Sequence, residues 1–100
     1  MANYVIFFHI THQGLDHLKD GPNRIEAIRQ DFEKHGAKVK DFYAFMGHPN
    51  YDTLFLVDAP SDEALSQLVL KVEAVGNVRS ETHRAFNFEE WKKLVAGVNK

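Results

Sequence analysis

The sequence predicts an α+β domain in which a four-stranded antiparallel sheet carries two helices on one side and a third helix follows the last strand. Three observations lead there. Val5-Ile6-Phe7-Phe8-His9-Ile10 and Thr53-Leu54-Phe55-Leu56-Val57 are continuous runs of β-branched, aromatic and aliphatic residues, of strand length and far too short to span a bilayer. Two other stretches space their apolar residues as helices do, Ile25, Ile28 and Phe32 in one and Leu65, Leu68, Val69, Val72 and Val75 in the other. Single glycines, Gly36 and Gly76, stand where each of those helices must stop. The order β-α-β-β-α-β-α is the split βαβ arrangement of ferredoxin-like domains. One hundred residues make one domain, 1–100, with a single core.

Each element has its own warrant. The first strand runs from Asn3 to Thr11, and Thr11-His12-Gln13-Gly14 reads as the turn that ends it. Gly21-Pro22 offers proline at a first helical position, and the helix carries Ile25, Ile28, Phe32 and Ala27 to Gly36. From Lys38 to Met46 the chain alternates Val39, Asp41, Tyr43 and Phe45 against Lys40, Phe42, Ala44 and Met46, as a strand with one covered face does. Gly47 to Asn50 supplies a turn into the third strand. Ala59-Pro60-Ser61-Asp62-Glu63 ends that strand and opens a helix with early acids, which the helix dipole favours. Gly76-Asn77 leads into a fourth strand, where Arg79, Glu81 and His83 fall on one side and Val78, Ser80, Thr82, Arg84 and Phe86 on the other. Asn87 with Glu90 three residues on forms a capping box for a short helix bearing Trp91, Leu94 and Val95.

Two helices cover one face of such a sheet, yet the first and third strands are apolar on both. The second face therefore needs cover, and a second copy is the simplest source, giving a homodimeric α/β barrel with about 600–800 Å² buried per chain. Twelve basic residues spread along a chain of net charge −2 leave no footprint for nucleic acid, and no long apolar run calls for a membrane. The sequence holds no cysteine, which removes disulfides, thiolate nucleophiles and thiolate metal ligands together and points to the cytoplasm.

Gly47-His48-Pro49-Asn50-Tyr51-Asp52 and the stretch Gly76 to Phe86 resemble the GYD domain family, named for glycine, tyrosine and aspartate. Thr11 with Gly14, Pro22 with Arg24, Gly36 and the Ala59-Pro60 step extend the resemblance from Tyr4 to about Glu90. It implies a ferredoxin-like fold of the dimeric α/β-barrel group and carries no settled activity. That wider group includes small monooxygenases, isomerases, polyketide cyclases and ligand-sensing domains, so the fold does not choose the function. The family's Gly-x-Tyr-Asp is stretched here by two residues, and His83 stands where relatives more often carry an apolar residue.

Candidate chemistry centres on the histidines. In a ferredoxin-like sheet the fourth strand lies beside the first, so His9 and His83 are placed to approach each other, and imidazoles lining a pocket suit general acid–base work. The alternative makes His9 a hydrogen-bonded core residue and His83 a partly exposed edge residue; register decides between them. Asp52 either fixes the turn before the third strand or orients a histidine. The Tyr51 ring is placed to plug the sheet end while its hydroxyl points into a cavity, and Phe7 is a further candidate ligand-binding residue. Arg79 and Glu81 either pair with each other or line the pocket, Arg79 anchoring a substrate anion. Arg24, a cation in a helix's first turn, is set to reach Asp52 or a partner chain. His9, His83 and Glu81 have the composition of a two-histidine, one-carboxylate metal set, but no fixed ligand spacing accompanies them, so no metal and no cofactor is expected. Three functions remain open: an acid–base enzyme acting on a small, partly apolar carbonyl or aromatic compound in a pocket between sheet and helices, a non-catalytic small-molecule binding module, and a dimerisation scaffold.

Overall fold

The computed structural model describes residues 1–98. It contains β1 (Ala2–Ile10), α1 (His12–Asp16), a 3-10 turn at Leu18–Asp20, α2 (Gly21–Lys34), β2 (Lys38–Ala44), β3 (Thr53–Ala59), α3 (Asp62–Val75), β4 (Val78–Ala85) and α4 (Phe88–Val98). The strands form one sheet in the order β2-β3-β1-β4 with every neighbouring pair antiparallel, the ferredoxin-like arrangement that the element order implies.

Alternation along the two central strands divides their apolar runs between the faces. Tyr4, Ile6 and Phe8 of β1 and Phe55, Val57 and Ala59 of β3 are buried beneath α2 and α3, where Phe32, Leu65, Leu68 and Val69 meet them. Full burial of each large aliphatic or aromatic side chain in this set contributes about 1.5–3 kcal/mol. Val5, Phe7, His9, Leu54 and Leu56 point the other way and are half-buried, with no helix over them.

Helix boundaries follow local chemistry. Ser61 caps α3 by accepting a hydrogen bond from the Ala64 amide at 3.1 Å, and Asp62 and Glu63 occupy the first turn. Gly76 ends α3 at φ +93 and Gly36 follows α2 at φ +84, left-handed conformations that favour glycine. Asn87 and Glu90 form the reciprocal capping box of α4, with the Glu90 amide donating to Asn87 Oδ1 at 2.8 Å and the Asn87 amide donating to Glu90 Oε1 at 3.0 Å. Four local expectations are corrected. The turn after β1 is the short helix α1, because the Thr11 hydroxyl accepts from the Gly14 amide and starts a helical turn. Ala27 on α2 is exposed, off the buried stripe. Val75 is 63% exposed, because it faces the open gap between α2 and α3 rather than the packed core. In β2 a bulge between Val39 and Asp41 breaks the simple alternation, so Val39 and Phe42 pair with the helix-side residues Val57 and Phe55 while Lys40, Asp41 and Tyr43 face away.

Helix α1 is latched to the turn between α3 and β4. The Thr11 amide donates to the Asn77 carbonyl at 3.0 Å, its hydroxyl to the Gly76 carbonyl at 2.6 Å, and Gln13 Nε2 to the Val75 carbonyl at 2.9 Å. Gly14 is buried in this latch, where a Cβ would lie 2.2 Å from the Asn77 carbonyl oxygen and 2.8 Å from Ile10 Cγ2. Gly14→Ala is expected to cost about 1–3 kcal/mol by overpacking against backbone. Urea unfolding checks this, and an unchanged midpoint would refute the close approach.

Candidate functional site

The sheet face opposite α2 and α3 gathers most of the chemistry. Register sets His9 opposite Arg79, Phe7 opposite Glu81 and Val5 opposite His83, so all these residues share that face. His9 and His83 therefore lie on one side of the sheet, four residues apart in register and about 13 Å along the strands, with the Phe7–Glu81 pair between them. They do not meet, and each has its own carboxylate. His83 Nε2 lies 2.7 Å from Glu81 Oε2, and His9 Nδ1 lies 3.6 Å from Asp52 Oδ2.

Asp52 does both things open to it. Its Oδ2 accepts the Ile10 amide at 2.8 Å, while its own amide donates to the Phe8 carbonyl and its carbonyl accepts from the Phe45 amide, each at 2.8 Å. These bonds tie the loop before β3 to the end of β1 and hold the carboxylate beside His9. Within that loop His48 Nδ1 accepts the amides of Asn50 and Tyr51, both at 3.0 Å, and so closes the stretched glycine-to-tyrosine segment on itself. The imidazole also stacks on Phe45, with ring centroids 5.1 Å apart, and Phe7 lies 5.1 Å from Tyr51 and 5.8 Å edge-on from His83. Phe7, Phe45, His48, Tyr51 and His83 thus form one aromatic cluster on the uncovered face. Phe45 and His48 were not foreseen as members; the glycine-proline loop that folds His48 back over the sheet was the available signal.

Glu81 joins this cluster to the polar groups around it. The His83 imidazole first, and then the Tyr51 hydroxyl, hold its carboxyl below the ordinary glutamate value. Glu81 in turn raises the Tyr51 hydroxyl above the usual tyrosine value, chiefly through their hydrogen bond. Because the Glu81 carboxyl is depressed in the folded chain, the stability it contributes is present above the unfolded glutamate pKa and is lost as pH falls through the folded value. Stabilities of the parent and of Glu81→Gln are expected to differ near neutrality and to converge in acid, from about pH 5 downward. The gap will be small, since both side chains of the His83–Glu81 pair are about half exposed. Urea midpoints across that pH range check the effect, and a gap that persists unchanged into acid would contradict it.

Three further sequence-based expectations are resolved by these positions. Glu81 pairs with His83 rather than with Arg79. Arg79 instead lines a shallow hollow of about 490 Å³ with His9, Asn50, Tyr51 and Glu81 at the end of the uncovered face. Arg24 does not reach Asp52; its Nη1 donates to the His17 carbonyl at 2.9 Å on the helix side. Among the described residues no group of three or more histidines and carboxylates converges as a metal-ligand set.

The larger cavity is on the other side of the sheet from the histidines. A cleft of about 740 Å³ opens between α2 and α3, floored by Phe8, Phe42 and Phe55 and walled by Ile25, Ile28 and Val72. The expectation of a histidine-lined pocket between sheet and helices is corrected here: alternation sends His9, His83, Arg79, Glu81 and Phe7 to the opposite face, and Arg24 is the one predicted ligand-binding residue at this cleft. The Lys71 ammonium reaches from α3 to the Asp31 carboxylate on α2 at 2.9 Å and spans the cleft. That contact holds the Asp31 carboxyl below its ordinary value.

Helix α4 is the other unpartnered surface. Trp91, Leu94, Val95 and Val98 follow helical spacing along one stripe, and all are at least 44% exposed. The helix is tied to the sheet by its first turn, where Glu90 accepts from Asn3 Nδ2 at 3.2 Å and pairs with Arg84 at 3.5 Å. It projects beyond the sheet, and the radius of gyration of 15.0 Å exceeds the roughly 13 Å of a compact chain this long. No helix among the described residues is long and apolar enough to cross a membrane.

The model of the GYD domain family matches residues 4–95. A relative from Thermus thermophilus, named glutamine synthetase and cystathionine beta-lyase binding protein, is 27% identical over 86 residues, which cover 85% of this chain and 88% of that protein. By the extent of the family match, the chain belongs to the GYD domain family.

Proposed function

We propose that this member of the GYD domain family is a non-catalytic, cytoplasmic binding module that works as a homodimer, with a second copy over its open sheet face and its helix-side cleft free to take a small apolar molecule. The observation that carries the reading is the uncovered face itself, where Val5, Phe7, Leu54 and Leu56 from the two central strands stand without a helix over them. Four strands about 4.8 Å apart, each seven to nine residues long, make a plaque of roughly 500 Å² in flat projection. Side-chain relief raises it toward the area of a standard interface, about 800 Å² per partner.

The charges on this face suit a twofold mate. Lys40 and Asp58 stand toward one end and Arg79, Glu81 and Asp52 toward the other, so the face offers both signs to a copy of itself. A binding role is favoured over acid–base catalysis because His9 and His83 stand apart, each beside its own carboxylate, and do not converge on one substrate atom. The relative named for binding two enzymes supports the same choice, since contact with other proteins is a binding property that needs no catalytic centre. Light scattering at micromolar concentration is expected to give twice the chain mass of 11.5 kDa. A mass of one chain would end the dimer reading.

A further inference from the structure

We infer that the cleft between α2 and α3 binds a singly charged anionic amphiphile, a medium-chain carboxylate with its chain on the sheet and its head at Arg24. The inference rests on the cleft's being the ligand site and adds the class of molecule it takes.

The body of the ligand follows from the lining. At about 740 Å³ the cleft lies within the range of about 300–1,000 Å³ that small-molecule sites occupy. Phe8 and Phe55 on its floor belong to the buried core, and no polar or charged residue is buried among the described residues. Away from Thr53 and Asn77, the two uncharged polar side chains of the lining, a polar group carried over the Phe8 and Phe55 floor would lose its water and find no partner, at a cost of about 1–3 kcal/mol for each unpaired group. The inner part of the ligand is therefore hydrocarbon, and any polar end stays at the mouth.

The charge of that end follows from the cations around the rim. Three border the cleft, and two are matched: Lys71 pairs with Asp31 at 2.9 Å and Arg29 with Glu26 at 3.1 Å. Arg24 forms no ion pair among the described residues, and its one hydrogen bond goes to the His17 carbonyl. It stands in the first turn of α2, where a cation opposes the helix dipole, so its charge does not serve the helix that carries it. A guanidinium with donors to spare, at the edge of an apolar cleft, matches a carboxylate head. From Arg24 to Asp31 is seven residues of helix, about 10 Å. The Lys71–Asp31 bridge marks the far end, so the chain is of medium length.

Isothermal titration with decanoate, kept below its micellar concentration, and with decanol tests both the site and the class. Decanoate is expected to bind at least 10-fold more tightly than decanol. Arg24→Gln should weaken decanoate about 10-fold and leave decanol unchanged, while Arg24→Lys should recover most of the loss. Val72→Trp, which fills the cleft, should abolish both. If decanoate and decanol bind equally and Arg24→Gln changes neither, the anionic class is wrong while the cleft stands. If neither binds the parent protein, the cleft is not a ligand site and the inference falls with that reading. Dimer mass is read separately and is independent of both results.

Discussion

Replacing Phe55 by alanine is expected to lower stability by about 3–5 kcal/mol, the cost of losing a large aromatic ring from a closed core. Phe55 is fully buried at the centre of β3, and its ring meets three others edge-on: Phe8 at 5.1 Å, Phe42 at 6.0 Å and Phe32 at 6.1 Å. Those rings come from β1, β2 and α2, so truncation opens a void where the sheet and its helix layer join. None of these backbones can close the void alone, because each is fixed by its own ladder or helix. Domains of this size have about 5–15 kcal/mol in total, so the variant sits near the limit of folding. Thermal unfolding should show a drop of at least about 12 °C. Ala27→Ser, on the exposed side of α2, should stay within about 0.5 kcal/mol of the parent. Equal midpoints for Phe55→Ala and the parent would place the core elsewhere.

Leu56→Lys is expected to separate the proposed dimer into monomers. Leu56 lies on β3 opposite Val5 and Asp41 on the face away from the helices, where it is half-buried within one protomer. In a face-to-face pair each copy would bury an ammonium beside Asp41 amid apolar contacts, and taking both charges out of water costs several kcal/mol per ion, which their attraction offsets only with excellent geometry. Weakening of the dimer by at least about 100-fold follows from a loss of about 2.7 kcal/mol. Sedimentation should then report one chain, and circular dichroism should report an unchanged fold, because an isolated protomer leaves a lysine at this position room to reach water. A variant that remains dimeric would move the interface to another surface, with the apolar stripe of α4 the next to test.

How much of this was legible in the residues depends on the kind of signal each element carries. Apolar runs in β1 and β3 disclosed central strands, and period-two geometry then required both faces to be apolar. Gly36 and Gly76 marked helix ends because their backbones adopt positive φ. The capping box of Asn87 and Glu90 was visible because it is a local exchange of hydrogen bonds. The bulge beside Lys40 was not visible, since no glycine or proline marks it and only the pairing of β2 with β3 reveals the extra residue. The sharing of one face by Arg79, Glu81 and His83 was readable from alternation, but their position relative to His9 was not. Strand register is set by the whole sheet, and here it pairs His9 with Arg79 and leaves His83 opposite Val5. The helix-side cleft was hidden for a similar reason: its volume reflects the separation of α2 and α3, which the spacing of apolar residues within either helix does not encode.

The irregularity in β2 bears on how molecules of this kind avoid joining into filaments. β2 is an outer strand, and an outer strand with free amides and carbonyls is a template on which another chain's backbone can lengthen the sheet without limit. Lys40 is the extra residue of the bulge, with Lys38 just before it, and it puts the backbone out of step with any straight newcomer. Rim-to-rim growth is thereby discouraged while the broad flat side stays available. In the proposed dimer, association would be steered toward a closed pair that uses up its sticky surface and stops, and removing Lys40 would restore the straight rim and invite polymerisation.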